Sequence, residues 1–391
     1  MLRLVHITTV PQTAASFLRG QLRHMRQQGI EVTIISSPGE QLAEFADSEG
    51  VDYAEVSLTR AISPLADLRA VRQLSRVLKR IDPHIVHAHT PKAGLVGMLA
   101  ATRCQVPVRI YHLHGLRFET TRGLRRTVLQ CAERLACQLA HRVLSVSQSV
   151  RDRAVAEHLV SAPKTRVLAN GSINGIDLTK LDATLRMPGY RNQVRDRLGI
   201  PADARCVGFV GRLVRDKGII ELSHAWQWLR ARYPDLHLLL VGPFEELDPV
   251  PDSIRTELQA DPRVHLTGLD WNVLPYYGAM DLFTLPTYRE GLPTVLLEAA
   301  AMQVPVVATR VTGCVDAVPP ESIDALVPAG DSEALAKAIA RYLDSPQRRA
   351  ADAQAGRAWV AKHFRPAHIW GETYREYLQL LPQAVQAMGL A

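Results

Sequence analysis

Short apolar runs alternate with helix-like segments from the first residue of this 391-residue chain. The runs have the composition and spacing of strands, and the segments between them have the spacing of amphipathic or buried helices. Such alternation predicts parallel sheets with helices on both faces. The runs fall into two series: LRLVHIT, IEVTIIS, HIVHAH, VRIYHLH and RVLSVS, then CVGFVG, LHLLLVG, VHLTG, DLFTLP, VPVVAT and DALVP. We therefore predict an α/β chain with two Rossmann-like, doubly wound domains facing a cleft.

The domain boundary is predicted within LDATLRMPGYRNQVRDRLGIPADA, which carries Pro, Gly and charge but no strand pattern. We predict an N-terminal domain over residues 1–195 and a C-terminal domain over 196–365. A terminal helix over 366–391 is expected to pack back on the N-terminal domain. Ligands of open parallel sheets bind beyond the carboxyl ends of the strands, so the site is expected there.

Composition limits the chemical classes of binding partner and the cellular compartment that we expect for this protein. The 46 Lys and Arg against 39 Asp and Glu give a net charge of +7, which favours anionic partners: nucleotide phosphates, anionic lipid or nucleic acid. Five scattered cysteines form no C-x-x-C pair, so we expect reduced thiols in a cytosol rather than a zinc site. We assign no signal peptide, because no small-residue cleavage site follows the first apolar run. We assign no membrane span, because the most apolar stretch contains Glu298 and two prolines.

The most informative run is YREGLPTVLLE, residues 288–298, between the strand DLFTLP and a helix predicted to begin near Pro293. Backbone amides at a helix N-terminus lack partners and carry partial positive charge, which suits a diphosphate. Glu298 lies among apolar residues and needs a partner, which two ribose hydroxyls would supply. The structural alternative is an ordinary strand-to-helix turn with a capping glutamate.

A second run, GFVGRLVRDKG, brings Arg212 and Lys217 to the end of another strand of the same predicted domain. Two cations there can neutralise a leaving diphosphate without a metal ion. A surface loop with Arg and Lys is common, so this run is weak alone. Its presence in the same domain as residues 288–298 favours a nucleotide diphosphate site.

Two glutamates eight positions apart, Glu290 and Glu298, together with Arg212 and Lys217, resemble the signature of the family 4 glycosyltransferases, which have the GT-B fold. The likeness continues through the glycines after LHLLLV and VHLT and through VPVVATRVTGC, and it covers most of the chain. The sequences HTPKAG at 89–94 and HGLR at 114–117 resemble the bacterial enzymes of capsule, O-antigen and exopolysaccharide assembly.

The resemblance implies a retaining, metal-independent hexosyltransferase that needs no cofactor. It would move a sugar from a nucleotide diphosphate donor, usually UDP-linked, to a polyprenyl-diphosphate-linked saccharide or similar acceptor. A front-face mechanism is usually proposed for the family, in which the departing phosphate oxygen takes the acceptor proton. No side chain then has to act as a general base.

The resemblance also implies a role for each matched residue. Arg212 and Lys217 would stabilise the diphosphate leaving group. Glu290 would hold the donor sugar, Glu298 would bind ribose, and His114 would face the donor sugar from the first domain. The remaining donor-binding positions are Gly211, Gly291, Leu292, Pro293, Thr294 and Val295.

The first domain is expected to serve the acceptor. Many family members carry paired glycines directly after the first strand, whereas no glycine precedes Gly20 here. The alternative for His89 is a structural strand histidine, and for Lys92 a solvated loop charge. The candidate acceptor-side residues are Thr9, Gln12, His89, Lys92 and Arg117.

Basic helical faces in the first domain indicate either solvated surfaces or docking on anionic lipid, since each Lys or Arg near such a surface contributes about 1 kcal/mol. We therefore expect a cytoplasmic protein that is peripheral on the inner face of the cytoplasmic membrane. The residues of these faces are Arg69, Arg72, Arg76 and Lys79, and then Arg122, Arg125 and Arg126.

Two other functions are alternatives to the transferase. A UDP-sugar 2-epimerase shares the two-domain fold but needs its own acid and base carboxylates and lacks the four-residue set described above. A basic nucleic-acid-binding protein is suggested by the pI of 9.3 alone, without interleaved aromatic and basic residues. We predict no nucleic-acid partner.

Overall fold

The computed structural model describes residues 1–59 and 63–381, which form two compact units. Of the described residues, unit 1 contains 1–59, 63–175 and 366–381, and unit 2 contains Ile176–Arg365. Each unit is a Rossmann-like arrangement of a parallel sheet with surrounding helices. The predicted fold class of two such α/β domains is confirmed.

The sheet of unit 1 has seven parallel strands within the described residues. They are β1 (Leu2–Ile7), β2 (Ile30–Ser36), β3 (Asp52–Glu55), β4 (Ile85–His89), β5 (Val108–Leu113), β6 (Arg142–Ser145) and β7 (Thr165–Arg166). Their order is β3-β2-β1-β4-β5-β6-β7, so the direction of winding reverses between β1 and β4. The register places His6 beside His87 and His89 beside His112, which brings these imidazoles to one face of the sheet.

Helices cover this sheet through their apolar faces. They are α1 (Pro11–Leu18), α2 (Gln21–Gln27), α3 (Glu40–Glu49), α4 (Pro64–Ile81), α5 (Pro91–Arg103), α6 (Gly123–Leu139) and α7 (Gln148–Ala156). Helix α4 buries Ala70, Leu74 and Leu78, spaced four apart. Helix α5 packs so closely on β5 that a Cβ at Gly94 would overlap the ring of Tyr111. This contact explains the glycine of the HTPKAG run.

The sheet of unit 2 has six parallel strands within the described part of the chain. They are β8 (Arg205–Val210), β9 (Leu236–Val241), β10 (Val264–Leu266), β11 (Leu282–Leu285), β12 (Val306–Thr309) and β13 (Leu326–Val327). The order is β10-β9-β8-β11-β12-β13, with the winding reversing between β8 and β11. All six correspond to strands predicted from the sequence.

The helices of unit 2 include one that lies before the predicted domain boundary and one that spans it. They are α8 (Leu178–Leu185), α9 (Tyr190–Leu198), α10 (Ile219–Arg232), α11 (Asp252–Ala260), α12 (Leu274–Ala279), α13 (Thr294–Ala301), α14 (Ser332–Leu343) and α15 (Pro346–His363). The structure divides the chain after Gly175 instead of after residue 195. Arg191 and Arg195 of α9 each form an ion pair with Asp281, at 2.7 and 2.9 Å, which holds this helix in unit 2.

The last helix, α16 (Pro366–Leu380), belongs to unit 1 and packs on α2. Ile369 and Tyr377 are buried, and the Tyr377 hydroxyl lies 2.7 Å from Nδ1 of His87. Residues 382–391 of the predicted terminal helix lie outside the described residues. Among the described helices, none has the length and apolar character needed to cross a membrane.

Candidate functional site

Three loops meet at the carboxyl edge of the unit 2 sheet, where its winding reverses. They follow β8, β11 and β12; the first contains Arg212 and Lys217 and the second contains Glu290, whereas His114, also assigned to the donor sugar, lies in unit 1. Backbone bonds hold them together: the Tyr288 amide donates to the Asp216 carbonyl at 2.9 Å, and the Glu290 amide donates to the Thr312 carbonyl at 3.2 Å. Ligands of such sheets bind at this position.

The structure brings Lys217 and Glu290 into direct contact. The Lys217 ammonium forms an ion pair with Oε1 of Glu290, and both side chains are largely buried. Arg212 pairs with Glu245 at 2.8 Å and remains half exposed. Both cations are therefore neutralised by carboxylates, and an entering diphosphate would compete with these partners. Glu245 was not anticipated, because nothing in its local sequence marks it.

Glu298 lies in α13, half buried, and its Oε2 accepts a hydrogen bond from the Tyr277 hydroxyl at 2.8 Å. The predicted need for a partner is thus met in part by a side chain of the protein. Burial raises the pKa of Glu298, and the bond from Tyr277 opposes that change. Tyr277 is fully buried and leaves Oε1 as the carboxylate atom with which a ligand hydroxyl could bond. Sequence reasoning missed Tyr277.

The N-terminus of α13 carries the predicted amide site. The helix begins at Thr294, one residue after Pro293, and has no side-chain cap. Helix geometry leaves the first amides, including those of Thr294 and Val295, without intrahelical acceptors. Gly291 and Pro293 are buried, Leu292 and Val295 are half buried, and Thr294 is exposed.

Further contacts fix the shape of these loops. Arg289 forms an ion pair with Asp216 at 2.6 Å, which links the loop after β11 to the loop after β8. Gly211 donates its amide to the Val241 carbonyl at 2.9 Å. Gly313 has a φ of +82°, and a Cβ there would overlap the carbonyl oxygen of Gly291. These contacts keep the Glu290 loop in one position.

In unit 1, three of the predicted acceptor-side residues, Thr9, Gln12 and Lys92, follow β1 and β4, the strands at the winding reversal. The hydroxyls of Thr9 and Thr90 lie 2.7 Å apart and join the loops after β1 and β4. Gln12 is exposed in the first turn of α1, in a helix instead of the loop. Thr90 has a φ of +70°, which is strained for a β-branched residue.

Two predicted acceptor-side cations have different surroundings. Lys92 lies in the first turn of α5, and its ammonium is 2.7 Å from both carboxylate oxygens of Asp67 in α4. Lys92 is therefore paired and only 12% exposed, not the solvated loop charge of the structural alternative. Arg117 is exposed at the start of a short 3₁₀ helix over Arg117–Thr120.

His114 belongs to a cluster of five imidazoles on the sheet of unit 1. Nε2 of His114 lies 3.2 Å from Nδ1 of His89, whose Nε2 lies 2.9 Å from Nδ1 of His6. His87 and His112 form a second pair, with a 3.1 Å contact between ring nitrogens. His89 is fully buried behind half-buried His114, so its side chain is not presented to an acceptor as predicted.

Burial keeps these imidazoles neutral. It lowers the pKa of His6 to about 3, with a further contribution from His112, and it lowers the pKa of His112 to about 3. The pKa values of His87, His89 and His114 are likewise well below 6.5, chiefly through burial. Proximity alone would permit metal coordination: ring nitrogens of His6, His87 and His89, and of His89, His112 and His114, lie within 4.8 Å of one another.

Comparison with known protein families identifies both units. Residues 13–171 match the family model described as glycosyl transferase 4-like domain, and residues 204–345 match glycosyl transferases group 1. The chain is 31% identical over 384 residues to the capsular polysaccharide biosynthesis glycosyltransferase CapM of Staphylococcus aureus, covering 98% of each chain. It is 25% identical over 317 residues to an Escherichia coli UDP-Gal:alpha-D-GlcNAc-diphosphoundecaprenol alpha-1,3-galactosyltransferase, covering 80% of each.

Solved structures show the same fold. Anabaena Alr3699/HepE, determined in complex with UDP and glucose, matches with a TM-score of 0.78 at 20% identity. The match covers 96% of this chain and 99% of that one. At this identity, the likeness establishes the fold and leaves the substrates of this chain open.

Proposed function

The chain belongs to the family 4 glycosyltransferases of the GT-B fold, and from that premise we propose that it is a retaining hexosyltransferase with a UDP-linked donor. The observation that carries the proposal is the grouping of Lys217, Glu290, Arg212 and Glu298 at one edge of the unit 2 sheet. Membership of a glycosyltransferase family favours sugar transfer over the epimerase and nucleic-acid-binding alternatives raised by the sequence.

The donor site would work by exchange of charged partners. The ammonium of Lys217 and the guanidinium of Arg212 each bind a carboxylate, and a diphosphate offers both cations a stronger anionic partner. Their release would leave Glu290 free to accept hydrogen bonds from sugar hydroxyls. The amides at the start of α13 add donors that need no rearrangement. Two cations and these amides can stabilise a leaving diphosphate, so we propose that no metal ion is required.

Glu298 is the residue that we propose binds the ribose. Tyr277 holds one carboxylate oxygen at 2.8 Å, which orients the other toward a ligand. A carboxylate held in this way can accept hydrogen bonds from vicinal hydroxyls at little entropic cost. The uracil base is proposed because the name of the Escherichia coli relative specifies a UDP-linked donor.

The acceptor is proposed to be a polyprenyl-diphosphate-linked saccharide in cell-surface polysaccharide assembly. This proposal draws on the names of the two relatives, one of capsule synthesis and one acting on a diphosphoundecaprenol-linked sugar. We propose that the departing phosphate oxygen takes the acceptor proton, as the retaining front-face mechanism requires.

A lipid-linked acceptor calls for a membrane-facing surface, and the start of α6 has the required chemistry. Leu124 is 81% exposed and Val128 is 39% exposed, next to the exposed Arg122 and Arg125. Apolar side chains bordered by arginines suit an anionic lipid surface. Arg126 of the predicted basic cluster instead pairs with Glu157 at 3.1 Å. The second predicted basic face, on α4, is also exposed.

The donor site is tested by a thermal-shift screen against UDP, GDP, ADP and CMP in excess EDTA. A ligand at about 100 times its dissociation constant adds roughly 2.7 kcal/mol of stability. We expect stabilisation by UDP that is lost in Lys217→Ala. The variant Lys362→Ala, which removes an exposed cation elsewhere in unit 2, is the matched control. Absence of any shift, or a shift that Lys217→Ala retains, would refute the assigned site.

The membrane surface is tested by co-sedimentation with vesicles containing anionic phospholipid. The double variant Arg122→Glu, Arg125→Glu is expected to stay in the supernatant at physiological salt. Lys362→Glu, a charge reversal on unit 2, is expected to sediment like the unchanged protein. Equal sedimentation of all three proteins would show that α6 is not the docking surface.

A further inference from the structure

The chain of imidazoles His6–His89–His114 constrains where the protons lie. Two hydrogen bonds connect the three rings: His6 Nδ1 with His89 Nε2 at 2.9 Å, and His89 Nδ1 with His114 Nε2 at 3.2 Å. His6 and His89 are completely buried, and His114 is held by stacking on Phe17, with ring centroids 4.3 Å apart. All three rings are neutral because burial lowers each pKa.

A neutral imidazole has one N–H and one lone pair, so only two proton arrangements satisfy both bonds. In the first, His6 donates to His89, His89 donates to His114, and His114 carries its proton on Nδ1. In the second, every bond is reversed: His114 donates to His89, His89 donates to His6, and His114 Nδ1 is a bare acceptor.

The ring of His6, at the end of the row of imidazoles away from His114, distinguishes the two proton arrangements. Nε2 of His6 is buried and has no hydrogen-bond partner among the described residues. The second arrangement would place a buried N–H at this atom, whereas the first places a lone pair there. Among backbone groups, buried N–H donors without an acceptor are rarer than under-satisfied acceptors, and we apply the same preference to the imidazole nitrogen. The first arrangement is therefore favoured.

We propose that His89 is a positioning residue whose Nδ1–H holds His114 in the Nδ1–H tautomer, so that neutral His114 offers a hydrogen-bond donor to an oxygen of a bound ligand. That this ligand is a substrate of sugar transfer rests on the proposed function, whereas the tautomer rests on the three imidazoles themselves. In this state Nδ1 of His114 cannot accept a proton. Its role is to donate a hydrogen bond to the ligand, and the acceptor proton goes elsewhere.

A transition metal would require a different arrangement. Coordination by His6, His87 and His89 or by His89, His112 and His114 would replace hydrogen bonds of the chain with metal–nitrogen bonds. None of the described hydrogen bonds of the five rings involves a carboxylate that could offset a buried dication. The hydrogen-bonded chain accounts for the contacts without an added charge.

The tautomer is measured by imidazole ¹⁵N NMR on the full chain labelled at histidine, with the His114 signals assigned through their loss in His114→Gln. We expect a pyrrole-type Nδ1 and a pyridine-type Nε2. The opposite pattern would overturn the proposal. So would stoichiometric zinc, copper or nickel in the purified protein that is lost in His89→Leu, because the cluster would then be a metal site.

Two substitutions separate positioning from packing. Asparagine keeps an N–H close to the place of Nδ1, whereas leucine has no donor. We expect kcat/KM for transfer to fall about 5- to 10-fold in His89→Leu, the effect of one hydrogen bond, and to recover most of this loss in His89→Asn. His89→Leu should also show His114 in mixed tautomers. Thermal midpoints establish that both variants are folded.

An equal loss of kcat/KM in folded His89→Leu and folded His89→Asn would overturn the positioning role. An unchanged His114 tautomer in His89→Leu would overturn it as well. Absence of transferase activity in the unchanged protein would refute the proposed function instead. The NMR result on the unchanged protein does not depend on activity, so the two failures are distinguishable.

Discussion

Replacing His6 with leucine is expected to make the unfolding free energy of unit 1 less sensitive to mild acid. His6 is completely buried, and burial lowers its pKa to about 3, against 6.5 for an ordinary histidine. Between pH 7 and pH 5 the unfolded chain takes up a proton at this position and the folded chain does not. The stability that neutral His6 allows is therefore present above pH 6.5 and is lost as the pH falls below it.

The magnitude follows from the proton uptake. At pH 5 the difference for one such histidine is about 2 kcal/mol relative to pH 7. His112, with its pKa also lowered to about 3, contributes a similar loss that the variant retains. We expect the unfolding free energy of unit 1 to fall by about 2 kcal/mol less in His6→Leu than in the unchanged protein.

Hydrogen exchange of peptides covering β1 and β4, corrected for intrinsic rates, reports this local free energy. His224→Leu removes an exposed imidazole from unit 2 and serves as the control. An equal loss of protection at pH 5 in His6→Leu and in the unchanged protein would refute the reasoning. It would mean that His6 is not held neutral by its surroundings.

Three further substitutions test the roles of Glu133, Tyr277 and Gly313. Burial raises the pKa of Glu133 to about 7 from 4.5. Ionisation of this carboxyl therefore lowers the folding stability increasingly between these pH values, by roughly 3 kcal/mol in all. Glu133→Gln should raise the thermal midpoint at pH 8 and not at pH 4. Tyr277→Phe should weaken UDP binding about 5- to 10-fold by calorimetry, because Glu298 loses the hydroxyl that orients it; unchanged affinity would contradict this. Gly313→Ala should lower the thermal midpoint more than Gly199→Ala, since both positions have positive φ but only the first lacks space for a Cβ; equal losses would argue against a fixed Glu290 loop.

The sequence predicted eleven of the thirteen strands within the described residues, because those eleven carry apolar or β-branched runs. The two that it missed lack this signal. Strand β3, Asp52–Glu55, lies at the sheet edge and is mostly exposed, so its sequence DYAE has no buried face to reveal it. Strand β7 has two residues. The predicted domain boundary lies 20 residues too late. The charge of α9 is typical of a linker, but two of its arginines, Arg191 and Arg195, bind Asp281 within unit 2.

The site was predictable where chemistry depends on local sequence. Glu290 and Glu298 are tied to a glycine turn and a helix start, and the structure places both with Lys217 at one sheet edge. Their partners could not be read from the sequence, because Tyr277 reaches Glu298 only through folding. Lys92 illustrates the same limit, since its partner Asp67 comes from another helix 25 residues earlier.

The most direct test of the proposed chemistry is a transfer assay in excess EDTA with UDP-hexoses and an undecaprenyl-diphosphate-linked acceptor sugar in vesicles. We predict UDP release matched by a lipid-linked product whose new linkage keeps the anomeric configuration of the donor. Lys217→Ala should lose this activity, whereas Lys362→Ala should keep it. Inversion at the anomeric carbon, restoration only by added divalent metal, or conversion of the UDP-sugar to an isomer without transfer would contradict it.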